Sequence, residues 1–404
     1  MWLDHCNQVN LFLKSIDLFI DQAYHSGMLV QKSFKFQLRP TKKQAKALQA
    51  LLDECRWLYN ELLEQRKLAY EDLGISLTKY QQGMFLPLLK EERPTLDLVH
   101  SQVLQNVVDR LDKAFQAFFR RCKAGEEAGF PRFRGMHRYN SFCYPQSGFS
   151  LVGSELKLSK IGNIRIKMHR SIQGKIKTCT IRKNVSGDWN VSFSCEVNVE
   201  PLTPKQEAIG VDMGLEHFAT LSNGHEIANP RFFKQGEKAL AKAQRKLASL
   251  KKGTPERRKQ GKAVSKIHQR ISNQRKDFCH KESKKIIDQY QYICVEDLNI
   301  KKMIEGSYLA KSITDASWNQ FRQFLTYKAA EAGRKLGMVN PAHTSQDCSQ
   351  CNHREKKKLS ERTHSCSRCG YKATRDLNAA QNILALGLDG LGAIPRSPRL
   401  KARE

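Results

Sequence analysis

Thr344-Ser345-Gln346-Asp347-Cys348-Ser349-Gln350-Cys351 is followed, after a charged loop, by Cys366-Ser367-Arg368-Cys369-Gly370 and then by Arg375-Asp376-Leu377-Asn378-Ala379-Ala380. Two Cys-x-x-Cys pairs across a short loop are what a tetrahedral four-thiolate zinc site requires, because each pair bends into a knuckle that presents two sulfurs from one side. Asn352 follows the first pair and Gly370 the second. These residue types most easily take the positive φ that closes a knuckle. One Zn²⁺ on Cys348, Cys351, Cys366 and Cys369 is therefore expected. The alternative, two disulfides, needs an oxidising compartment, and the remaining cysteines lack paired spacing and read as reduced thiols.

Just beyond the second knuckle, Asp376 opens a helix that runs through Leu386. Two further acids close apolar segments that read as buried strands: Ala208-Ile209-Gly210-Val211-Asp212 and Tyr292-Ile293-Cys294-Val295-Glu296. A lone carboxylate at a strand end is usually a cap or an ion-pair partner. Three in such positions suit phosphodiester hydrolysis by two divalent ions about 3.5 to 4 Å apart, which needs hard oxygen ligands on a rigid scaffold. Mg²⁺ (or Mn²⁺) prefers carboxylate and phosphate oxygens to nitrogen or sulfur. On this reading Asp212 bridges both ions, while Glu296 and Asp376 each complete one. Asp297, alternating to the other side of its strand, reads as a structural acid.

The composition points to a polyanionic partner. Lys and Arg number 69 against 40 Asp and Glu, a formal net charge of +29 in 404 residues. A globular protein tolerates that self-repulsion when nucleic acid neutralises it. The sequence lacks a run of eighteen apolar residues and a polybasic tract beside a lipid-anchor motif, which argues against a membrane partner. Acidic residues interrupt the apolar run Leu11-Phe12-Leu13, and no cleavage site follows, so no secretory signal is read in residues 1–27. These form a short amphipathic extension, expected to be dispensable.

Period-two alternation at Phe34, Phe36 and Leu38 predicts a strand ending at Pro40, and Thr41 with Gln44 predicts a capping box opening a long helix. Two more helical stretches are expected, the second over Ser101–Lys123. The loop from Gly129 to Arg134 and the segment His137–Tyr144 interleave basic and aromatic residues, as a phosphate-gripping, base-stacking surface would. Strands follow to Val199, forming with the first strand a small, mostly antiparallel barrel. Leu202-Thr203-Pro204-Lys205 reads as a linker. Within 232–285 two apolar heptad-like runs broken at Gly253-Thr254-Pro255 predict an antiparallel helical hairpin with a cationic outer face. Asp315-Ala316-Ser317-Trp318 is expected to start another amphipathic helix, with Leu336 on its apolar side and Arg322, Lys328, Arg334 and Lys335 facing out.

Together these residues resemble the TnpB (OrfB) proteins of bacterial insertion sequences, relatives of the type V CRISPR effectors. The resemblance runs from about Phe34 onward. It rests on Arg56-Trp57-Leu58-Tyr59-Asn60, Leu104-Gln105 with Ala114-Phe115, Gly129-Phe130-Pro131-Arg132-Phe133, Gly210-Val211-Asp212-Met213-Gly214, Val295-Glu296-Asp297-Leu298, Tyr327-Lys328-Ala329, Thr344-Ser345-Gln346 and the Arg375–Ala380 segment. It implies an RNA-guided, Mg²⁺-dependent DNA endonuclease of α/β plus β-barrel architecture. Asp212, Glu296 and Asp376 would be the triad of a RuvC domain of ribonuclease-H-like fold, spanning 205–342 and 373–392. A zinc ribbon (343–372) would interrupt it. A wedge-type β-barrel (28–40 and 126–201) would precede it, carrying a helical recognition lobe (41–125), and residues 393–404 would be a basic tail. The implied partners are a guide RNA from the element's own transcript and a double-stranded DNA target, bound by a monomer in the bacterial cytosol. A short motif flanking the target would be read by protein, near Lys42–Tyr59 and Phe130, and the rest by base pairing. Candidate nucleic-acid contacts are Arg56, Tyr59, Asn60, Arg120, Arg121, Phe130, Arg132 and Arg134. Thr374 stands where the family commonly has an acid, and Asn352 where it has glycine. Competing readings are a guide-dependent DNA-binding repressor, which would have lost triad acids, and a transposase that joins strands without RNA.

Overall fold

Thr41 accepts the backbone N–H of Gln44 while the Gln44 side chain accepts that of Thr41, so the capping box forms as its spacing predicts. The computed structural model describes residues 27–136, 138–358 and 361–392. The amphipathic extension up to residue 26 and the basic tail from 393 lie outside the described residues. The chain divides into two compact units, Leu29–Asn198 and the portion from Val199 onward.

The first unit joins a sheet to a helical bundle. Strand β1 (Met28–Arg39) leads into α1 (Lys42–Leu73), one 32-residue helix. Where a single further helix is expected before Ser101, the chain instead forms α2 (Lys79–Met84), α3 (Leu86–Glu92) and a tight turn at Pro94–Leu98. Prolines at the starts of α3 and that turn explain the fragmentation, since proline suits a first turn but interrupts a helix interior. Helix α4 (Ser101–Lys123) packs Val103, Leu104, Val107, Val108 and Leu111 into the bundle. Arg66, buried in α1, donates to Gln82 (2.6 Å) and Asp112 (3.0 Å), tying three helices together.

The sheet is completed by β2 (Ser141–Tyr144), β3 (Phe149–Val152), β4 (Glu155–Leu158), β5 (Gly162–Lys167), β6 (Lys175–Lys183) and β7 (Trp189–Val199). Its order is β2-β6-β7-β1-β5-β4-β3, so β1 does return to the centre of the later strands. The Tyr144 and Phe149 rings, 6.4 Å apart, draw the two edge strands together into a nearly closed sheet. One expectation fails here. Residues 141–144 are not a basic-aromatic surface loop: Phe142 and Tyr144 are fully buried core residues of β2.

In the second unit β8 (Ala208–Asp212), β9 (His217–Leu221) and β10 (Glu226–Ala228) are followed by α5 (Phe232–Ser249) and α6 (Pro255–Gln289), the expected hairpin, with Thr254 capping α6. Then come β11 (Tyr292–Glu296), α7 (Ile300–Ile304), α8 (Ala310–Ala316), α9 (Trp318–Glu331) and β12 (Lys335–Val339). The five strands lie in the order β10-β9-β8-β11-β12, with β8, β11 and β12 mutually parallel and β9 antiparallel. Strands β13 (Thr363–Ser365) and β14 (Lys372–Thr374) form a separate ribbon that runs directly into α10 (Arg375–Gly390).

Four details of the expected helix near Asp315 are corrected. Asp315 lies inside α8, and its carboxylate accepts the Phe233 N–H at the start of α5 (2.9 Å) and the Arg275 guanidinium (2.8 Å), so it anchors the hairpin instead of capping α9. The helix also stops at Glu331, which puts Leu336 in β12. Arg334 is buried, not outward, donating to the carbonyls of Ile287 and Thr203 and to Gln291. Lys328 is likewise drawn in, donating to the His280 carbonyl (2.7 Å) and the Ser283 hydroxyl (2.8 Å). Burial pushes its amine down to about 8.

Candidate metal and nucleic-acid sites

Strands β8 and β11 pair in parallel from Tyr292 beside Ala208 to Val295 beside Val211. Asp212 and Glu296 each stand one residue past the last of these pairs, at the same end of neighbouring strands. This is where an open parallel sheet presents side chains to a ligand. Asp376 comes from the first turn of α10, which lies flat on β8 and β11. Glycines permit that close approach. A Cβ on Gly210 would meet the Ala380 carbonyl at 2.1 Å, and one on Gly387 would meet the Cys294 sulfur at 2.3 Å. Three sequence-distant acids thus come from two strand ends and one helix start.

Two of the three, Asp212 and Glu296, sit where the charged form is disfavoured. Burial, then the charges of Glu296 and Asp376, hold the Asp212 carboxyl well above the usual range, with Arg375 pulling weakly the other way. Glu296, 6 % exposed, is also raised by burial, opposed by a 2.7 Å hydrogen bond that the Thr344 hydroxyl donates. Asp297 points out to solvent and pairs with Arg322.

The four cysteines come together as their spacing predicts, all four sulfurs within 4.8 Å of one another. The Cys348–Cys369 and Cys351–Cys366 sulfurs are 3.7 and 3.5 Å apart. A tetrahedron with zinc–sulfur bonds of about 2.3 Å has edges of about 3.8 Å, so the cluster fits Zn²⁺. Each knuckle closes by a backbone bond, Asn352 N–H to Cys348 O (2.9 Å) and Gly370 N–H to Cys366 O (3.0 Å). Asn352 and Gly370 have φ of +58° and +74°, the left-handed conformation expected of them. The backbone N–H groups of Cys369 and Arg368 bring the Cys366 thiol down to about 6, whereas burial holds the Cys348 thiol up, so a metal binding there would displace its proton.

Sequence reasoning did not find what joins this ribbon to the carboxylates. Asn378 and Asn382, four apart on α10 and buried, grip the loop before the first knuckle. Asn378 donates to the Asp347 carbonyl (2.8 Å) and accepts the Ser349 N–H (2.9 Å), and Asn382 donates to the carbonyls of Thr344 (2.8 Å) and Asp347 (2.7 Å). Two amides one turn apart on an apolar helix were the available signal. Thr374, the departure from the family pattern, is the N-cap of α10, accepting the Leu377 N–H at 3.2 Å.

The candidate nucleic-acid contacts separate by exposure. Tyr59 is 2 % exposed, a core ring that cannot stack on a base as the chain stands. Asn60 is a loop clamp, donating to the Arg134 carbonyl (3.1 Å) and accepting the Arg134 N–H (2.7 Å). Phe130 sets its ring against Phe115 and Phe118 in edge contacts, yet remains 48 % exposed. Arg120, Arg121, Arg132 and Arg134 are exposed or half-buried, and so is Arg56.

Comparisons with known proteins give the family. A family model described as "Probable transposase" matches residues 192–306, "Cas12f1-like, TNB domain" matches 318–383, and "Helix-turn-helix domain" matches 28–74. That last stretch is here a strand followed by the single helix α1. A "Putative RNA-guided DNA endonuclease" of Streptomyces pristinaespiralis is 32% identical over 374 residues, covering 89% of this chain and 90% of that protein. "Putative RNA-guided DNA endonuclease InsQ" of Escherichia coli K12 is also 32% identical, over 377 residues and 88% and 92% of the two chains. Among solved structures, a Cas12f1-sgRNA-target DNA complex superposes with a TM-score of 0.58 at 12% identity, covering 88% of this chain and 98% of that one, which shows likeness of fold. The chain belongs to the OrfB (TnpB) family of insertion-sequence proteins.

Proposed function

We propose that this protein is an RNA-guided DNA endonuclease of an insertion sequence, with a RuvC-type nuclease domain of ribonuclease-H-like fold built on the mixed five-stranded sheet. The observation that carries the reading is that Asp212 and Glu296 end neighbouring parallel strands beside the helix start that carries Asp376, with Glu296 buried and Asp212 close enough to feel the charges of both other acids. Burying carboxylates together costs several kcal/mol per ion unless cations offset it, and such an arrangement persists where a divalent metal is the missing charge. Asp212, Glu296 and Asp376 would hold two Mg²⁺ or Mn²⁺ ions. Bound there, the ions would supply an activated water and stabilise the leaving oxygen.

The chain's own residues do the rest. The two parallel strands fix Asp212 and Glu296 side by side, and α10 delivers Asp376 to them. Basic surface supplies attraction for the phosphate backbone. On α6, Lys259, Lys262, Lys266 and Arg270 are exposed, and Arg120, Arg121, Arg132 and Arg134 form a second basic region on the other unit. In the wider reading the nearly closed sheet is the wedge, the helices carried between β1 and β2 are the recognition lobe, and the guide derives from the element's transcript.

The test is cleavage of a plasmid library carrying one fixed target beside randomised flanks, by protein co-expressed with RNA from its own locus. RNA-dependent, Mg²⁺-dependent cutting that selects a short flank and is lost in Asp212→Ala supports the proposal. Strand transfer without RNA would contradict it.

A further inference from the structure

We propose that Thr344 is a positioning residue for Glu296, and that α10 sets it through Asn382. This rests on the nuclease reading above, in which Glu296 is a metal ligand. Glu296 is almost wholly buried at the end of β11, and among the described residues Thr344 is the one hydrogen-bonded to its carboxylate, at 2.7 Å. Thr344 is itself 4 % exposed. Its single hydroxyl proton has two acceptors within reach, Glu296 Oε1 and the Pro341 carbonyl at 3.2 Å, and the nearer, charged oxygen takes it. One carboxylate oxygen is thereby fixed and the other left free to face a cation.

The Thr344 backbone is fixed in turn. Its carbonyl accepts from Asn382 Nδ2 at 2.8 Å, and that amide also holds the Asp347 carbonyl next to the first zinc cysteine. Asn382 lies on the helix whose first turn carries Asp376. Two carboxylates contributed by different elements are so kept in one frame by a Thr–Asn relay. Hydrogen bonds of this outer kind set ligand orientation, and losing one costs about 10- to 100-fold in metal affinity or activity.

The test uses the full-length, zinc-loaded protein with its RNA. Mn²⁺ binding is measured by titration calorimetry and electron paramagnetic resonance, alongside the Mg²⁺ dependence of target cleavage. Thr344→Val, which keeps the shape and removes the donor, is expected to weaken Mn²⁺ binding about 10- to 100-fold and raise the Mg²⁺ needed for half-maximal cutting by a similar factor. Thr344→Ser should restore both. In a Glu296→Gln background, Thr344→Val should cost nothing further. Thr344→Ala, which adds no bulk, is read in the same way should the valine variant not fold. Unchanged Mn²⁺ affinity in the valine or alanine variant overturns the inference. So does a serine variant as impaired as valine, since the methyl group would then be what matters. Failure of the wild type itself to bind Mn²⁺ through Asp212 would instead overturn the nuclease reading.

Discussion

Asp212 stabilises nothing by itself, because its carboxyl is held well above the usual range by burial and by two neighbouring acids. The consequence for stability has a definite sign. A raised folded-state value means that the folded chain binds the proton more tightly than the unfolded one. Stability therefore falls as pH rises from the ordinary carboxylate range through the raised value, and the penalty vanishes below that range. Asp212→Asn should make the protein more heat-stable than wild type at pH 7 to 8 without added Mg²⁺, by about 2–4 °C for each kcal/mol relieved, with the gain shrinking as pH falls. Added Mg²⁺ should stabilise wild type and leave the variant unmoved. Thermal melts across pH check this; a variant less stable at every pH would refute it. The places of the three acids, two at strand ends and one at a helix start, were legible from the apolar runs they close or open. Thr344 was not, since 48 residues separate it from Glu296 and only the fold brings them together. Tyr59 misled for the opposite reason. An aromatic residue in a basic segment looks like a stacking platform until packing shows which face of α1 it occupies.

Helix α10 is the element on which the candidate site depends most. It reaches the sheet only because Gly210 and Gly387 have no side chain. Gly210→Ala should force the helix outward, costing about 1–3 kcal/mol by overpacking, and should reduce cleavage more than guide-dependent DNA binding. Melting temperature and a binding–cleavage comparison read both effects. The ribbon should be coupled to the same helix through Asn378 and Asn382. Cys348→Ser is expected to lower zinc content, measured by elemental analysis, and to lower cleavage with it even though the four ribbon cysteines lie outside β8, β11 and α10; zinc-free protein that cuts normally would show the ribbon to be independent. Most elements were readable from period and caps, including the α5–α6 hairpin and its break at Gly253-Thr254-Pro255; the capping role of Thr254 within that break came from the structure. The end of α9 was misread despite a signal. Gly333, at φ +66°, follows the last turn as a left-handed stop, and ignoring it carried the helix on to Leu336.

At the scale of the whole molecule, the dominant quantity is the excess of basic over acidic residues, a net charge of +29. If the exposed face of α6 engages nucleic acid, Lys259→Ala, Lys262→Ala and Lys266→Ala combined should weaken binding across sequences alike. The slope of log affinity against log salt should flatten by about 0.7 to 0.9 for each phosphate that is no longer neutralised. An unchanged slope would assign those lysines to solvent alone. The broad class of partner was legible in composition, because charge is additive along the chain. Which basic residues meet RNA and which meet DNA was not, because that depends on surfaces assembled from distant segments. The central claim is that three carboxylates from β8, β11 and α10 form one metal-dependent cutting site. Its most direct test is single-turnover cleavage of one matched target by the RNA-loaded protein and by Asp212→Ala, Glu296→Ala and Asp376→Ala, with target binding measured in parallel. The account predicts that each variant binds the target as wild type does and that each alone abolishes Mg²⁺-dependent cutting. Cutting that persists in any one of the three, with binding intact, would contradict it.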